Sequence, residues 1–356
     1  MVIIGAGTAG SAAAAMLAPH VRVAVIDREK QPRWRIGETL PGAAARLLRA
    51  LGAWPTFALA QHPAAPVRIS RWGSNEPETL DTFRDPDGVG WRLDRARFEA
   101  DLRANAAERG AHVQLGQAVA ALAREGERWQ VGLTDGSRIE APFLLDATGR
   151  SSRLLRGFGQ RSLATDRLAC VYRLVEARSA APDSGIYTEA VADGWWYSAV
   201  IGTGHRLIAF HSDADLPAAA EALRGGLLDA AGRTSGLATM VRDAVPIGPA
   251  RMCRAASMAR SAAGPRWLAA GDAATAFDPL SSQGLFNALA TGLEAGEALL
   301  AALAGGDRST IWSAYAARMG AIWQAYQRHL QLAYAQEGRW RDELFWARRV
   351  PAPRTA

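Results

Sequence analysis

Gly5, Gly7 and Gly10 stand at the G-x-G-x-x-G spacing in "MVIIGAGTAGSAAAAML", between a short β-branched run and an Ala-rich one. That spacing suits a diphosphate: the first glycine permits a tight turn, the second lets backbone approach the charged group, and the third lets a helix pack closely on the strand. The helix start adds free N–H groups and the positive end of a dipole, so Gly5, Gly7, Ala9 and Gly10 form the expected contact set. A second strand, "VRVAVIDR", ends at Asp27, about twenty residues on, where a carboxylate can accept bonds from a ribose hydroxyl, with Arg28 beside it. An acid there suits FAD and NAD alike, so these residues imply an adenine dinucleotide without choosing between them.

Two later segments make the choice. "FLLDATGRSS" (143–152) reads as a buried strand followed by Asp146, Gly149 and Arg150. "RWLAAGDAATAFDPLSSQGLFNALATGLEAGEALLAAL" (266–303) reads as a strand, a Gly271-Asp272 turn, a proline-containing loop and a long small-residue helix. Their order and separation resemble the FAD-binding fingerprints of the flavoprotein hydroxylase and halogenase superfamily. The resemblance implies that Asp272 holds the ribitol chain, and that the helix beginning at Gly284 and Leu285 points its N–H groups at the flavin pyrimidine. Reduced flavin carries negative charge there, which a helix N-terminus stabilises. "WRLDRARFEADLRANAAERGAHVQLGQAVAAL" (91–122) resembles the superfamily's helix and following strand, which implies a flavin-side contact at Arg95 and an adenine neighbour at Val119. "RWRIGETLPG" places Gly37 and Glu38 before a helix as in halogenase-like members, where Glu38 is either a cofactor neighbour or a cap for that helix. No second G-x-G-x-x-G follows a strand, so NAD(P)H is expected as a transient visitor or through a separate flavin reductase.

These sites must be held by two kinds of layer. Strand–helix alternation predicts an α/β fold: a doubly wound, Rossmann-like FAD-binding domain assembled from 1–59, 91–160 and 247–303. Residues 60–90 and 161–246 change to alternating strands with Gly/Asp turns and predict an inserted antiparallel β-sheet substrate domain. Residues 304–356 form a C-terminal helical region whose Trp312, Tyr315, Met319, Trp323, Tyr326 and Leu330 recur at helical spacing and predict packing against the body.

Within the sheet, "DGWWYSAV" puts Trp195, Tyr197 and Ala199 on one face and Trp196, Ser198 and Val200 on the other. The stretch resembles the halogenase signature G-W-x-W-x-I-P at Gly194 and Trp195, and departs from it where Tyr197, Ala199 and Val200 stand. Trp195 and Tyr197 are therefore the expected substrate contacts, joined by His211 on a neighbouring strand. The resembling halogenases pass hypohalous acid through an essential lysine between the Gly-Glu pair and a tryptophan. Here the comparable "HPAAPVRISRW" holds arginine, always protonated and a poor nucleophile, and the only lysine in the chain is Lys30.

Over most of its length the chain resembles halogenase-like FAD monooxygenases that mature tryptophylquinone-containing oxidases, through "IGETLPGAAARLL", "DGWWYSA", "GDAATAFDPLSSQG" and "LFWARR". That resemblance implies hydroxylation of an aromatic, indole-type substrate, in some members a tryptophan of a protein precursor, through a flavin C4a-hydroperoxide. Rival expectations are a flavin-dependent halogenase, a reductase of the geranylgeranyl-reductase type and a noncatalytic flavin-binding partner. The residues name no catalytic acid or base and no metal-ligand spacing.

Composition bounds the rest. The chain has 356 residues, 49% hydrophobic and 21% charged, enough for a large core and unlike a disordered chain. A net charge of +6 is spread without a basic run, so nucleic acid is not an expected partner. The apolar stretches fall short of the roughly 20 residues of a membrane span. Two cysteines, Cys170 and Cys253, build no disulfide framework, and the expected compartment is the cytoplasm.

Overall fold

A computed structural model describes residues 1–82, 85–152, 154–176 and 185–350. The β-branched run becomes the strand Val2–Ile4 at the centre of a six-stranded sheet, with Leu144–Asp146 on one side and Ala24–Asp27 then His112–Leu115 on the other. Trp267–Ala269 continues the parallel set beyond Leu144–Asp146, and Ala263–Gly264 closes the edge antiparallel. Strands buried on both faces need no polar alternation, which is why Val2, Ile3, Leu144, Leu145 and Leu268 are fully covered.

Two small-residue helices lock this layer. Thr8–Leu17 buries all of its alanines, and it packs against Gly284–Leu303 so closely that a Cβ on Gly292 would lie 2.3 Å from the Ala9 carbonyl oxygen. Arg95–Glu108 starts where the Asp94 side chain accepts from the N–H groups of Ala96 and Arg97, an N-cap that satisfies two otherwise free donors.

The second layer is a seven-stranded sheet in the order Pro246–Arg254, Leu168–Glu176, His205–Asp213, Gly194–Val200, Gly185–Val191, Val67–Arg71 and Glu78–Asp81. All its pairings are antiparallel except that of Gly185–Val191 with Val67–Arg71. The domain boundary expected at 247 is corrected here: Pro246–Arg254 pairs with Leu168–Glu176 and is an edge of this sheet, so the FAD-side segment resumes only after Arg254. Turn chemistry could not reveal this, because the strand's partner lies far away in sequence.

Register sets the layer's chemistry. Cys253, Cys170, His211 and Trp195 are successive cross-strand partners and form one row on one face. Met252, Val171, Phe210 and Trp196 form the next row on the opposite face, where Val171, Phe210 and Trp196 join a core with Ala222, Leu227 and Ala231. The helix Arg308–Ala335 buries Tyr315, Met319, Trp323 and Tyr326 against the body, as their spacing predicts. Beyond it, Phe345 and Trp346 are buried beside Trp195 and Tyr334, with the Trp346 indole donating to the Val191 carbonyl at 2.9 Å. No helix among the described residues is long and apolar enough to cross a membrane.

Candidate active site

One cavity of roughly 440 Å³ opens between the two layers, within the size range of small-molecule sites. From the parallel layer it is lined by Gly5, Gly7, Ala9, Asp27 and Arg28, then by Val119, Gly149 and Asp272, and by Gly284 and Leu285 at the start of their helix. Glu38 and Arg95 line its side, and Cys170, Trp195, Tyr197, His211 and Cys253 come from the seven-stranded sheet.

The diphosphate cradle is built from backbone. Gly5 turns with φ +105°, and Gly10 is close enough to it that a Cβ would meet the Gly5 carbonyl oxygen at 1.8 Å. A Cβ on Gly7 would meet nothing within 4 Å, so the loop is open on the cavity side. Thr8, also lining the cavity, has a buried hydroxyl with no hydrogen-bond partner. An orphaned donor at a helix N-terminus, in a cradle free of side chains, fits a phosphate oxygen. Asp27 accepts from the Ala6 N–H at 2.7 Å and the Glu29 N–H at 2.8 Å, so its carboxylate shapes the loop as well as facing the cavity.

Three expected contacts do not line the cavity. Gly10 and Gly271 act by close packing, the latter with φ +59° and a would-be Cβ 2.8 Å from the Ala9 Cβ. Asp146, expected as a cofactor contact, lies behind the lining: its carboxylate is fully buried and accepts from the Thr148 N–H and hydroxyl at 2.9 and 2.7 Å and from the Ser152 hydroxyl. It pins the turn that presents Gly149, an Asx-type role that a strand-end aspartate shares with ligand contacts in sequence. Asp272 faces the cavity with Arg150 Nε 3.2 Å from its Oδ2, and Arg150 is itself anchored on the Ala256 and Phe277 carbonyls.

Glu38 does not cap the next helix, which begins at Ala44. Its buried carboxyl accepts from the Tyr197 hydroxyl at 2.6 Å and the Gly37 N–H at 2.9 Å, tying the two layers together. Burial pushes this carboxyl above its ordinary range in spite of those bonds, and pushes the Tyr197 hydroxyl up as well, with the Glu38 charge adding to the rise. Arg95 serves the same loop, donating to the Gly37 carbonyl at 2.5 Å and to Glu99 at 2.6 Å.

Trp195 is held on its edge and on its face. Its indole N–H donates to the Tyr334 hydroxyl at 3.2 Å, which donates to Asp278 Oδ2 at 2.7 Å. Its ring stacks on His211 with centroids 3.7 Å apart and planes 6° apart. Burial pushes the Asp278 carboxyl up to about 6, and burial holds the His211 imidazole down to about 3 while the Trp195 backbone pulls weakly the other way. Neither His211 ring nitrogen meets the geometry of a hydrogen bond among the described residues. Sequence reasoning missed Asp278, Tyr334 and Thr8. The acid in the apolar "TAFDPL" was a visible signal, and Tyr334 lies one step beyond the recognised stripe on its helix.

The family model described as tryptophan halogenase matches residues 1–83 and 58–354, nearly the whole chain. The chain belongs to this family. Among curated relatives, the putative FAD-dependent oxidoreductase LodB of Marinomonas mediterranea is 28% identical over 98% of this chain and 96% of its own. A menaquinone reductase of Mycolicibacterium smegmatis is 28% identical over 88% of this chain and 78% of its own. Among solved structures, the myxobacterial chondrochloren halogenase CndH shares the fold at TM-score 0.90 and 24% identity, covering 99% of this chain and 86% of that one. The peptidyl tryptophan dihydroxylase QhpG superposes at TM-score 0.79 and 25% identity over 100% of this chain and 79% of that one. This family member is thus an FAD-dependent, halogenase-like oxidoreductase, and the cradle described above fits that cofactor.

Proposed function

We propose that the chain is an FAD-dependent monooxygenase that oxygenates an electron-rich aromatic ring, an indole, carried on tryptophan in a peptide or protein precursor. The observation that carries this reading is the cavity's composition. Its FAD-side wall faces Trp195 and Tyr197, and no lysine lines it; Lys30 lies beside Gly116, outside the lining. Likeness to a peptidyl tryptophan dihydroxylase across the whole chain supports the substrate class. FAD, when bound and reduced by an external donor, would supply the activation of molecular oxygen and relay the two electrons the reaction needs.

The protein's own contributions follow from its residues. Gly5, Gly7 and the start of the Thr8–Leu17 helix would hold the diphosphate, Asp272 would take the hydroxyl-bearing chain, and the Gly284 and Leu285 N–H groups would stabilise negative charge on the reduced flavin. Tyr197, fixed by its hydrogen bond to Glu38, offers its ring to a substrate at the sheet-side wall, while Trp195, 1% exposed and stacked on His211, backs that wall and keeps it rigid, so that little freedom is lost on binding. An indole is reactive enough that no acid–base pair at the ring is required. Electrons arrive from NAD(P)H directly or through a flavin reductase.

A second reading, halogenation, is favoured by the family match itself. One experiment separates the two: FAD-loaded protein with a flavin reductase, NADH, oxygen and bromide, given indole, tryptophan peptides or a tryptophan-containing precursor, followed by mass spectrometry. Oxygen added without bromine is the expected result. A brominated product would replace the monooxygenase reading with the halogenase one, and turnover without oxygen would support a reductase.

A further inference from the structure

Cys170 and Cys253, the only cysteines of the chain, are separated by 82 intervening positions yet are direct partners across adjacent antiparallel strands, and both line the cavity. Directly opposed residues on such strands have Cα atoms roughly 4.5–5.5 Å apart and side chains on the same face, inside the Cα range of about 4.4–6.8 Å that a disulfide spans. Both are free thiols; Cys170 is buried and Cys253 is partly open to the cavity. We propose that this pair is a redox-active dithiol site in the cavity wall, oxidised reversibly to an intramolecular disulfide by hydrogen peroxide.

The two thiols are unlike, and the difference assigns their order. The hydrogen bond from Cys170 and the nearby Arg150 charge lower the Cys253 thiol, whereas burial raises Cys170. Cys253 is therefore the nucleophile, since thiolate character and access decide which cysteine meets an oxidant. The Cys253 thiolate attacks one peroxide oxygen: an S–O bond forms, the O–O bond breaks, and the departing hydroxide leaves as water with the proton Cys253 gave up. Cys170 sulfur then attacks the Cys253 sulfur: the S–S bond forms, the S–O bond breaks, and the second hydroxide leaves as water with the Cys170 proton. In total two thiols lose two electrons and two hydrogens, and peroxide becomes two waters. Reduced flavin that meets oxygen without substrate is one source of peroxide beside this wall, but the reaction stands whatever the flavin's substrate is.

Because Cys170 is also the cross-strand neighbour of His211, and His211 of Trp195, the linkage would stiffen the row that ends at the aromatic surface. The test uses the FAD-loaded full chain exposed to stoichiometric hydrogen peroxide, then denatured in N-ethylmaleimide and weighed intact, with a parallel sample reduced by dithiothreitol first. The expected result is a monomer lighter by two hydrogens with no maleimide adduct, returning to two adducts after reduction. The Cys170→Ser variant should instead gain one oxygen at Cys253, trapped by dimedone. Two maleimide adducts after peroxide, oxygen gained on each cysteine without hydrogen loss, or a disulfide between two chains would each overturn the proposal.

Discussion

The two walls of the cavity are built by different physics. The FAD-side wall is built largely on backbone: Gly5, Gly7 and two helix starts, open toward the cavity at Gly7 and Gly284 and backed by packing at Gly5 and Gly10 too tight for a side chain. The sheet-side wall is mostly side chain: Trp195 held by Tyr334 and Asp278, and Tyr197 held by Glu38, each from a different part of the chain. A backbone wall tolerates no added atoms where its glycines pack against backbone, as at Gly5 and Gly10, but is indifferent to remote residues, whereas a side-chain wall absorbs small changes and depends on partners far away.

The largest effect should come from adding one methyl in the packing directly behind the backbone wall. Gly10→Ala places a Cβ 1.8 Å from the Gly5 carbonyl oxygen, and the expected outcome is loss of bound flavin together with a fall in stability of about 3 kcal/mol or more, read by absorbance and thermal melting.

Next comes the hub of the other wall. Tyr334→Phe removes the acceptor of the Trp195 N–H and the donor to Asp278, at a cost of about 1–3 kcal/mol. Flavin content should stay near wild type while kcat/KM for an aromatic substrate falls about tenfold, the factor that about 1.4 kcal/mol represents. Loss of flavin in this variant would show that the walls are not separable.

A pH series sharpens the same contrast. His211 is held down to about 3, so its neutral form stabilises the fold fully above the unfolded value near 6.5, and that contribution is lost as pH falls toward 3. His211→Phe keeps a ring against Trp195 and removes the titration, so the difference in unfolding free energy between variant and wild type should shift in the variant's favour below pH 6.5. Asp278, pushed up to about 6, acts in the opposite sense: its protonated form is the stable one, and stability is lost as pH rises from about 4 through 6. Asp278→Asn should flatten that limb. Flat difference curves in denaturant titrations would show that these groups titrate in the folded state as they do in the unfolded chain.

The smallest effect is expected at Lys30. Lys30→Arg should change turnover by less than about twofold, because the residue lies outside both walls and surface exchanges are usually close to neutral. Loss of activity in this variant would return a lysine-dependent halogenation to consideration.

This contrast also explains what could be read before the structure. That Gly5, Gly7, Asp27, Asp272 and the Gly284 helix start come together at one cavity is legible in the sequence, because a local backbone requirement leaves a local mark. The hydrogen bonds of Asp146 to its own turn are not legible, because a strand-end aspartate looks alike in sequence whether it bonds a ligand or its own turn. The edge strand Pro246–Arg254 was assigned to the wrong layer because pairing with Leu168–Glu176 carries no short-range signature. Strand alternation grouped Trp195 with Tyr197, and in the structure both line the cavity.

By itself the sequence determined a dinucleotide cradle, an α/β layer, an alternating sheet with an aromatic face, and a chain with a single lysine. Those follow from steric rules that act over a few residues. Tertiary structure alone decided that Tyr334 and Asp278 fix Trp195, that Glu38 reaches Tyr197, and that Cys170 meets Cys253. Such contacts depend on strand register and layer packing, which bring together side chains that no local pattern relates.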